Sequence, residues 1–135
     1  MKIVSSKSLV DAAKAEITTL DRDTVARMRD EDTCVLIDIR DIRELEKEGR
    51  IRGAVHAPRG MLEFWVDPES PYHRTVFATD KTLVLFCAAA WRSALAAKTL
   101  QDMGLTTVAE MAGGFSAWKS ENRDVDLPPS DDGSA

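Results

Sequence analysis

The chain has 135 residues, of which 44% are hydrophobic and 30% charged, and these values predict one globular domain with an ordinary core. The net charge of −5, without a basic stripe to offset it, argues against a nucleic-acid partner. No apolar stretch approaches a signal-peptide core or the roughly 18 residues of a membrane span, so we expect a cytoplasmic protein with no membrane partner.

Helical and strand patterns alternate along the chain. Predicted helices carry apolar residues three or four positions apart, and predicted strands are short continuous apolar runs. In order, the first half contains a helix over Ser5–Ala15, a strand over Ile17–Leu20, a helix from Asp21 or Asp23 to Asp30, a strand over Cys34–Asp38, a brief helix around Glu44–Lys47, a strand over Ala54–His56 and a helix over Met61–Trp65. The second half contains a strand over Leu83–Phe86, a helix from Arg92 that Gly104 ends, a strand over Thr107–Met111 and a helix over Phe115–Ser120. This alternation predicts an α/β domain with a mainly parallel central sheet and helices on both faces.

One cysteine stands where the most apolar strand ends. Cys87 directly follows Leu83–Phe86, and a helix begins shortly afterwards at Arg92. The buried face of that helix is predicted to carry Leu95, Ala96, Thr99, Leu100 and Met103. A thiol at the carboxyl end of a buried strand lies where α/β proteins place their chemistry. The free N–H groups and positive dipole end of the following helix favour a thiolate there. Asp38 also ends an apolar strand, so it is a second candidate for this rim of the sheet.

Three segments, in this order and spacing, resemble the rhodanese domain of single-domain sulfurtransferases over roughly Thr18 to Pro128. They are LIDIRDIRELEKEGRIRGAVHAP, LFCAAAWRSALAAKTLQDMG and MAGGFSAWKSENRDVD. The resemblance implies a rhodanese-like three-layer fold with a mainly parallel central sheet. It divides the chain into an N-terminal helical extension (1–15), a rhodanese domain (16–128) and a flexible tail (129–135). The segment from Val125 onward is rich in Pro, Ser, Asp and Gly, and we expect it to be mobile.

The resemblance also implies a double-displacement reaction without a cofactor. A sulfane sulfur passes from a small donor such as thiosulfate to a cysteine, forming a persulfide, and then to a thiol or cyanide acceptor. By motif position, Cys87 is the nucleophile. The substrate-binding candidates are the loop residues, whose backbone N–H groups would face the outer sulfur, and the rim residue: Ala88, Ala89, Ala90, Trp91, Arg92 and Asp38. A thiolate is itself a competent nucleophile, so no separate general base is needed if the thiolate already exists.

The spacing within the loop separates two chemistries. Related phosphatases of the cell-cycle type share the fold but place five residues between cysteine and arginine, whereas four residues separate Cys87 from Arg92. A shorter loop makes a tighter cradle, which favours sulfur transfer over phosphatase or arsenate reductase activity. Many loops of the family have glycine at the position of Ala90, and a positive φ there would cost alanine about 1 kcal/mol or more. Some thiosulfate-using members carry basic residues where Ala88 and Ala89 stand, so the donor stays open.

Alternative interpretations accompany these predictions. Cys87 could be only an inert core residue, as a cysteine at a strand end often is. Separately, the alanine-rich loop is consistent with weak turnover, and the domain would then be a non-enzymatic sulfur carrier or regulatory binding module. Cys34 begins a strand and is interpreted as structural, with a resolving thiol for Cys87 as its other role. The cysteines and the two histidines, His56 and His73, lack zinc-ligand spacing, so we expect no metal site.

Overall fold

The computed structural model describes residues 1–128, in which helices and strands alternate. The helices are α1 (Ser6–Glu16), α2 (Arg22–Asp30), α3 (Ile42–Glu48), α4 (Leu62–Val66), α5 (Arg92–Asp102) and α6 (Gly114–Ser120). The strands are β1 (Thr18–Leu20), β2 (Cys34–Asp38), β3 (Val55–His56), β4 (Thr82–Phe86) and β5 (Val108–Met111). Short 3₁₀ turns cover Arg59–Met61 and Thr75–Phe77.

The five strands form one sheet in the order β1-β5-β4-β2-β3, and all four pairings are parallel. This arrangement confirms the predicted α/β fold with a parallel central sheet. Because the strands run in one direction, their carboxyl ends lie along one edge, where ligands bind in α/β sheets. β4 is the central strand, and Asp38 at the end of β2 pairs with Phe86 at the end of β4.

The side chains of β4 are divided between two apolar clusters, one on each face of the sheet. Leu83, Leu85 and Cys87 belong to the cluster that α4 and α5 cover, whereas Val84 and Phe86 belong to the cluster that α2 and α6 cover. Alternate residues of a strand point to opposite faces. The continuous apolar run is therefore the consequence of helices on both sides.

The buried face of α5 differs from the sequence prediction. Met103 was predicted on the buried face of α5 but is 42% exposed, whereas Ala94 and Ala97 are fully buried. The reason is that α1 packs on α5, with Val10, Ala13 and Ala94 forming a third small cluster, so the buried surface of α5 includes the side that faces α1.

The carboxyl-terminal segment also differs from expectation. Val125 packs against the cluster beneath α6, and Asp126 pairs with Arg50 through two backbone hydrogen bonds of 2.8 and 2.9 Å. These residues are therefore held on the domain, because the backbone of Arg50 provides a hydrogen-bond donor and an acceptor for Asp126. The predicted flexible tail, residues 129–135, lies outside the described residues. Between residues 1 and 128, no helix is both long enough and apolar enough to cross a membrane.

Candidate active site

Cys87 lies directly after β4 and is only 1% exposed. Its Sγ atom is 3.7 Å from the Oγ atom of Ser93, in the first turn of α5. The strand thus delivers the thiol to the carboxyl edge of the sheet, and the start of α5 covers it. This is the position that the sequence predicts for the nucleophile.

The loop between Cys87 and α5 differs in the pairing of its backbone carbonyl and N–H groups within the described residues. The carbonyl groups of Cys87 and Ala88 accept hydrogen bonds of 2.8 and 3.0 Å from the N–H groups of Phe115 and Ser116. The backbone N–H groups of residues 88–92 have no acceptor among the described residues. Unsatisfied backbone donors in succession form a typical anion-binding cradle. The loop can therefore hold a negatively charged sulfur.

The loop also contains one strained residue. Ala90 has φ of +63° and is 4% exposed. For a residue with a Cβ atom, this left-handed conformation costs about 1–2 kcal/mol. The backbone strain predicted for alanine at position 90 is therefore present.

We expect Ala90→Gly to raise the free energy of unfolding by about 1 kcal/mol, because glycine adopts a positive φ without the steric penalty. Urea denaturation of both proteins measures the difference. Ala89→Gly is the matched control, because Ala89 is exposed and has no positive φ; this change should be neutral or destabilising. An Ala90→Gly variant that is less stable than the parent would contradict the assignment of strain.

Arg92, at the start of α5, is held by a carboxylate from α3. Its Nη1 and Nη2 atoms donate to Glu44 over 2.8 and 2.9 Å. Glu44 is itself fixed, because its side chain and that of Asp41 form a capping box at the start of α3. Hydrogen bonds from Arg92 lower the pKa of Glu44. Hydrogen bonds to Glu44, with a smaller contribution from the Cys87 sulfur, raise the pKa of Arg92. Arg92 is therefore a fixed cation beside the thiol.

A cavity of about 960 Å³ opens beside the loop. Five basic and three acidic side chains line it, in contrast with the net negative charge of the whole chain. The lining residues are Arg40, Asp41, Arg43, Glu44, Lys47, Glu48, Ala88, Arg92, Phe115, Ser116, Lys119 and Ser120. Ala88 in the loop and Arg92 at the start of α5 line this cavity, whereas Cys87, Ala89 and Ala90 do not, and Trp91 is 69% exposed at the surface. The cavity favours an anionic ligand.

Asp38 is placed differently from the other predicted site residues. It is 1% exposed and does not line the cavity. Its carboxylate oxygens accept hydrogen bonds of 2.9 and 2.7 Å from the Nε and Nη2 atoms of Arg40, which is also buried. The Arg40 guanidinium stacks 3.9 Å from the centre of the Phe115 ring. This pair joins β2 to the start of α6 and favours a structural role for Asp38.

The second cysteine lies far from the first. Cys34 begins β2 beside Thr82, at the opposite end of β4 from Cys87, which corresponds to about 16 Å of strand. Burial raises the pKa of the Cys34 thiol. Both histidines bind backbone carbonyls, His56 that of Arg40 at 2.7 Å and His73 that of Trp65 at 3.0 Å. These placements favour structural roles for all three residues.

Three polar residues near Cys87 and Arg92 are not among the residues predicted from sequence. Glu44 holds Arg92, and Ser93 links Cys87 to Glu110, a fully buried carboxylate on β5. The one available signal was Glu110 itself, because a charged residue inside the buried strand Val108–Met111 requires partners. Within the described residues, no group of three or more potential ligand side chains could hold a metal ion.

Comparisons with known proteins agree on the fold. The family model for the rhodanese-like domain matches residues 21–121. A solved structure from Rhodopseudomonas palustris, described as a protein of unknown function and possible tyrosine phosphatase, is 43% identical over 93% of this chain and 97% of its own, with a TM-score of 0.88. The polysulfide-sulfur transferase homodimer of Wolinella succinogenes is 32% identical over 94% of this chain and 90% of its own, with a TM-score of 0.69. A human single-domain sulfurtransferase shares the fold at 23% identity over 76% of this chain and 96% of its own, with a TM-score of 0.65. No curated protein sequence matches the chain significantly.

Proposed function

Because the chain belongs to the rhodanese-like domain family, we propose that it is a sulfurtransferase that works through a persulfide on Cys87. The main support is the loop at the end of β4, where a buried thiol is followed by five backbone N–H groups without acceptors in the described part of the chain. Such donors stabilise an anion at the sulfur. Arg92 adds a fixed positive charge.

The reaction proceeds in two displacements. The Cys87 thiolate attacks the sulfane sulfur of the donor, the donor S–S bond breaks, and the leaving group departs with the electron pair. With thiosulfate this leaving group is sulfite. The loop N–H groups then hold the outer, negatively charged sulfur of the persulfide. A thiol or cyanide acceptor attacks that sulfur, and the electron pair of the broken S–S bond returns to Cys87 as a thiolate.

The cavity bears on the class of donor. Its side chains carry a formal charge of +2, from five basic and three acidic groups, or +1 when the pairing of the buried Arg40 with Asp38 is counted, and its volume exceeds the needs of one small anion. The positions after Cys87 carry no cation, because they are Ala88 and Ala89. We propose that an extended anionic donor, such as an inorganic polysulfide or the persulfide of a small thiol, suits this site better than thiosulfate. The polysulfide-sulfur transferase of Wolinella succinogenes supports this choice.

The test is to load the protein from thiosulfate, polysulfide and glutathione persulfide and to measure the mass of the Cys87 peptide. We expect a gain of one sulfur on Cys87, with a higher yield from the two extended donors, and transfer of that sulfur to cyanide as thiocyanate. Cys87→Ser should form no thiocyanate above the uncatalysed rate, whereas Cys34→Ala should load normally. Absence of the sulfur gain with all three donors would refute the proposal. Loading without turnover would instead identify a sulfur carrier.

A phosphatase is the second candidate, because the relative from Rhodopseudomonas palustris is described as a possible tyrosine phosphatase. Two observations argue against it here. The loop has four residues between Cys87 and Arg92, and the guanidinium fork that would bind a phosphate is occupied by Glu44. Hydrolysis of an aryl phosphate that is lost in Cys87→Ser would favour this candidate.

A further inference from the structure

A chain of polar contacts leads from Cys87 into the interior of the protein. The Cys87 thiol donates to the Oγ atom of Ser93 over 3.7 Å, and the Ser93 hydroxyl donates to Oε1 of Glu110 over 2.7 Å. The other oxygen of Glu110 accepts from Lys14 at 2.9 Å and from Thr19 at 3.0 Å. Ser93 and Glu110 are fully buried. Each polar group in this network therefore has a defined partner.

The direction of these bonds has a chemical consequence. The single hydroxyl proton of Ser93 is committed to Glu110, so Ser93 presents only an acceptor to Cys87. With the Glu110 carboxylate ionised and paired with Lys14, this network accommodates the thiol form of Cys87. A thiolate or persulfide would place a second buried negative charge on the other side of Ser93, which is costly in a medium of low dielectric constant.

The loop N–H groups and the charged groups on the surrounding elements offset only part of the cost of that second charge. Lys14, on α1, faces Glu110. Arg92, on α5, lies beside the thiol but already pairs with Glu44 of α3. At the end of β2, Asp38 and Arg40 neutralise each other. A proton that moved from Cys87 to Glu110 would keep the number of buried negative charges at one.

We propose that Glu110, acting through Ser93, takes up the Cys87 proton and holds it while the sulfur is negatively charged. Glu110 is thus a positioning residue and proton acceptor behind the nucleophile, and Lys14 of α1 is its counter-ion in the resting state. This inference rests on the proposed function for its role in turnover, but the proton transfer itself needs no sulfur donor.

The step is balanced within the three side chains. The S–H bond of Cys87 breaks and its proton passes to Oγ of Ser93, while the Ser93 hydroxyl proton passes to Oε1 of Glu110. The products are a thiolate, an intact serine hydroxyl that now donates to the sulfur, and a neutral carboxylic acid that now donates to Ser93. Both hydrogen bonds survive with their directions reversed. After the sulfur reaches the acceptor, the same path returns the proton to Cys87.

The test is the pH dependence of Cys87 alkylation by iodoacetamide, followed by mass spectrometry of the Cys87 peptide. A proton that moves only between Cys87 and Glu110 is not exchanged with the solvent, so the amount of thiolate formed in this way does not depend on the solvent pH. We expect the wild-type rate to be nearly independent of pH around neutrality. In Glu110→Gln the proton must leave to solvent, so the rate should rise about tenfold for each pH unit over the same range. Ser93→Ala, which breaks the path, should behave like Glu110→Gln.

Two matched controls lie on the same helix as Lys14. Glu16→Gln and Lys7→Gln change exposed charges that pair with Lys98 and Asp11, and both should keep the flat wild-type profile. A wild-type rate that rises tenfold per pH unit, or flat profiles in both wild type and Glu110→Gln, would overturn the proposal. The wild-type profile decides even where a variant does not fold. Because alkylation requires no sulfur donor, failure of this proposal is distinguishable from failure to form a persulfide.

Discussion

Replacing Gly114 by alanine is expected to abolish sulfur loading on Cys87 and to lower the free energy of unfolding by about 2 kcal/mol or more. Gly114 has φ of +64°, and a Cβ atom there would lie 2.5 Å from the carbonyl oxygen of Cys87 and 2.7 Å from that of Ala88. These atoms belong to the backbone, so they can give way only if the loop moves. Persulfide mass on the Cys87 peptide and urea denaturation measure the two effects.

Two other glycines separate the causes of this effect. Gly104 also has a positive φ, +105°, but nothing lies within 4 Å of its added Cβ atom. Gly104→Ala should therefore cost about 1–2 kcal/mol from backbone strain alone and leave sulfur loading unchanged. Gly60→Ala, with free space and no positive φ, should have little effect on either. Normal loading in a folded Gly114→Ala variant would show that α6 does not position the loop.

The geometry of the anion-binding loop thus explains why glycine is needed at position 114, the second residue of the Gly113–Gly114 pair. The N–H groups of Phe115 and Ser116 reach the loop carbonyls only because Gly114 lets the backbone of α6 approach so closely. When these carbonyls are fixed, the neighbouring N–H groups remain available for an anion. The MAGGF segment, which leads from β5 into α6, is therefore part of the candidate site through its backbone.

The strands that carry the site were predictable because their signals are local. Cys34–Asp38 was predicted with the bounds that β2 has, since a continuous apolar run requires only that both faces be covered. The buried face of α5 was not predictable in the same way. Met103 fits the helical period but is exposed, because the position of α1, from a distant part of the chain, determines which side of α5 is buried.

The candidate site likewise contains residues that local sequence predicts and residues whose placement depends on distant parts of the chain. Cys87 and the loop to Arg92 follow from the end of a strand, the start of a helix and the count between them. The partners of these residues do not, because Glu44 and Glu110 are separated from Arg92 and Ser93 by 48 and 17 positions. Polar contacts over such separations depend on the packing of whole elements. No local pattern encodes them.

Replacing Asp38 by alanine is expected to lower the free energy of unfolding by about 3–5 kcal/mol, because it leaves the buried guanidinium of Arg40 without its counter-charge. The two side chains are 2% and 1% exposed, so water cannot replace the lost carboxylate. Urea denaturation at neutral pH measures the loss, and an unchanged m-value would show that the native state stays compact.

The controls for this change also decide what Asp38 does. Asp11→Ala removes an ion pair that is largely exposed and should change stability very little. Asp38→Asn keeps the shape of the side chain but loses the charge, so it should be destabilised in the same direction as Asp38→Ala. If the role of Asp38 is structural, the fraction of either Asp38 variant that is folded should load Cys87 with sulfur at the wild-type rate. A folded Asp38→Asn variant with impaired loading would instead place Asp38 in donor binding, as its position at the end of β2 first suggested.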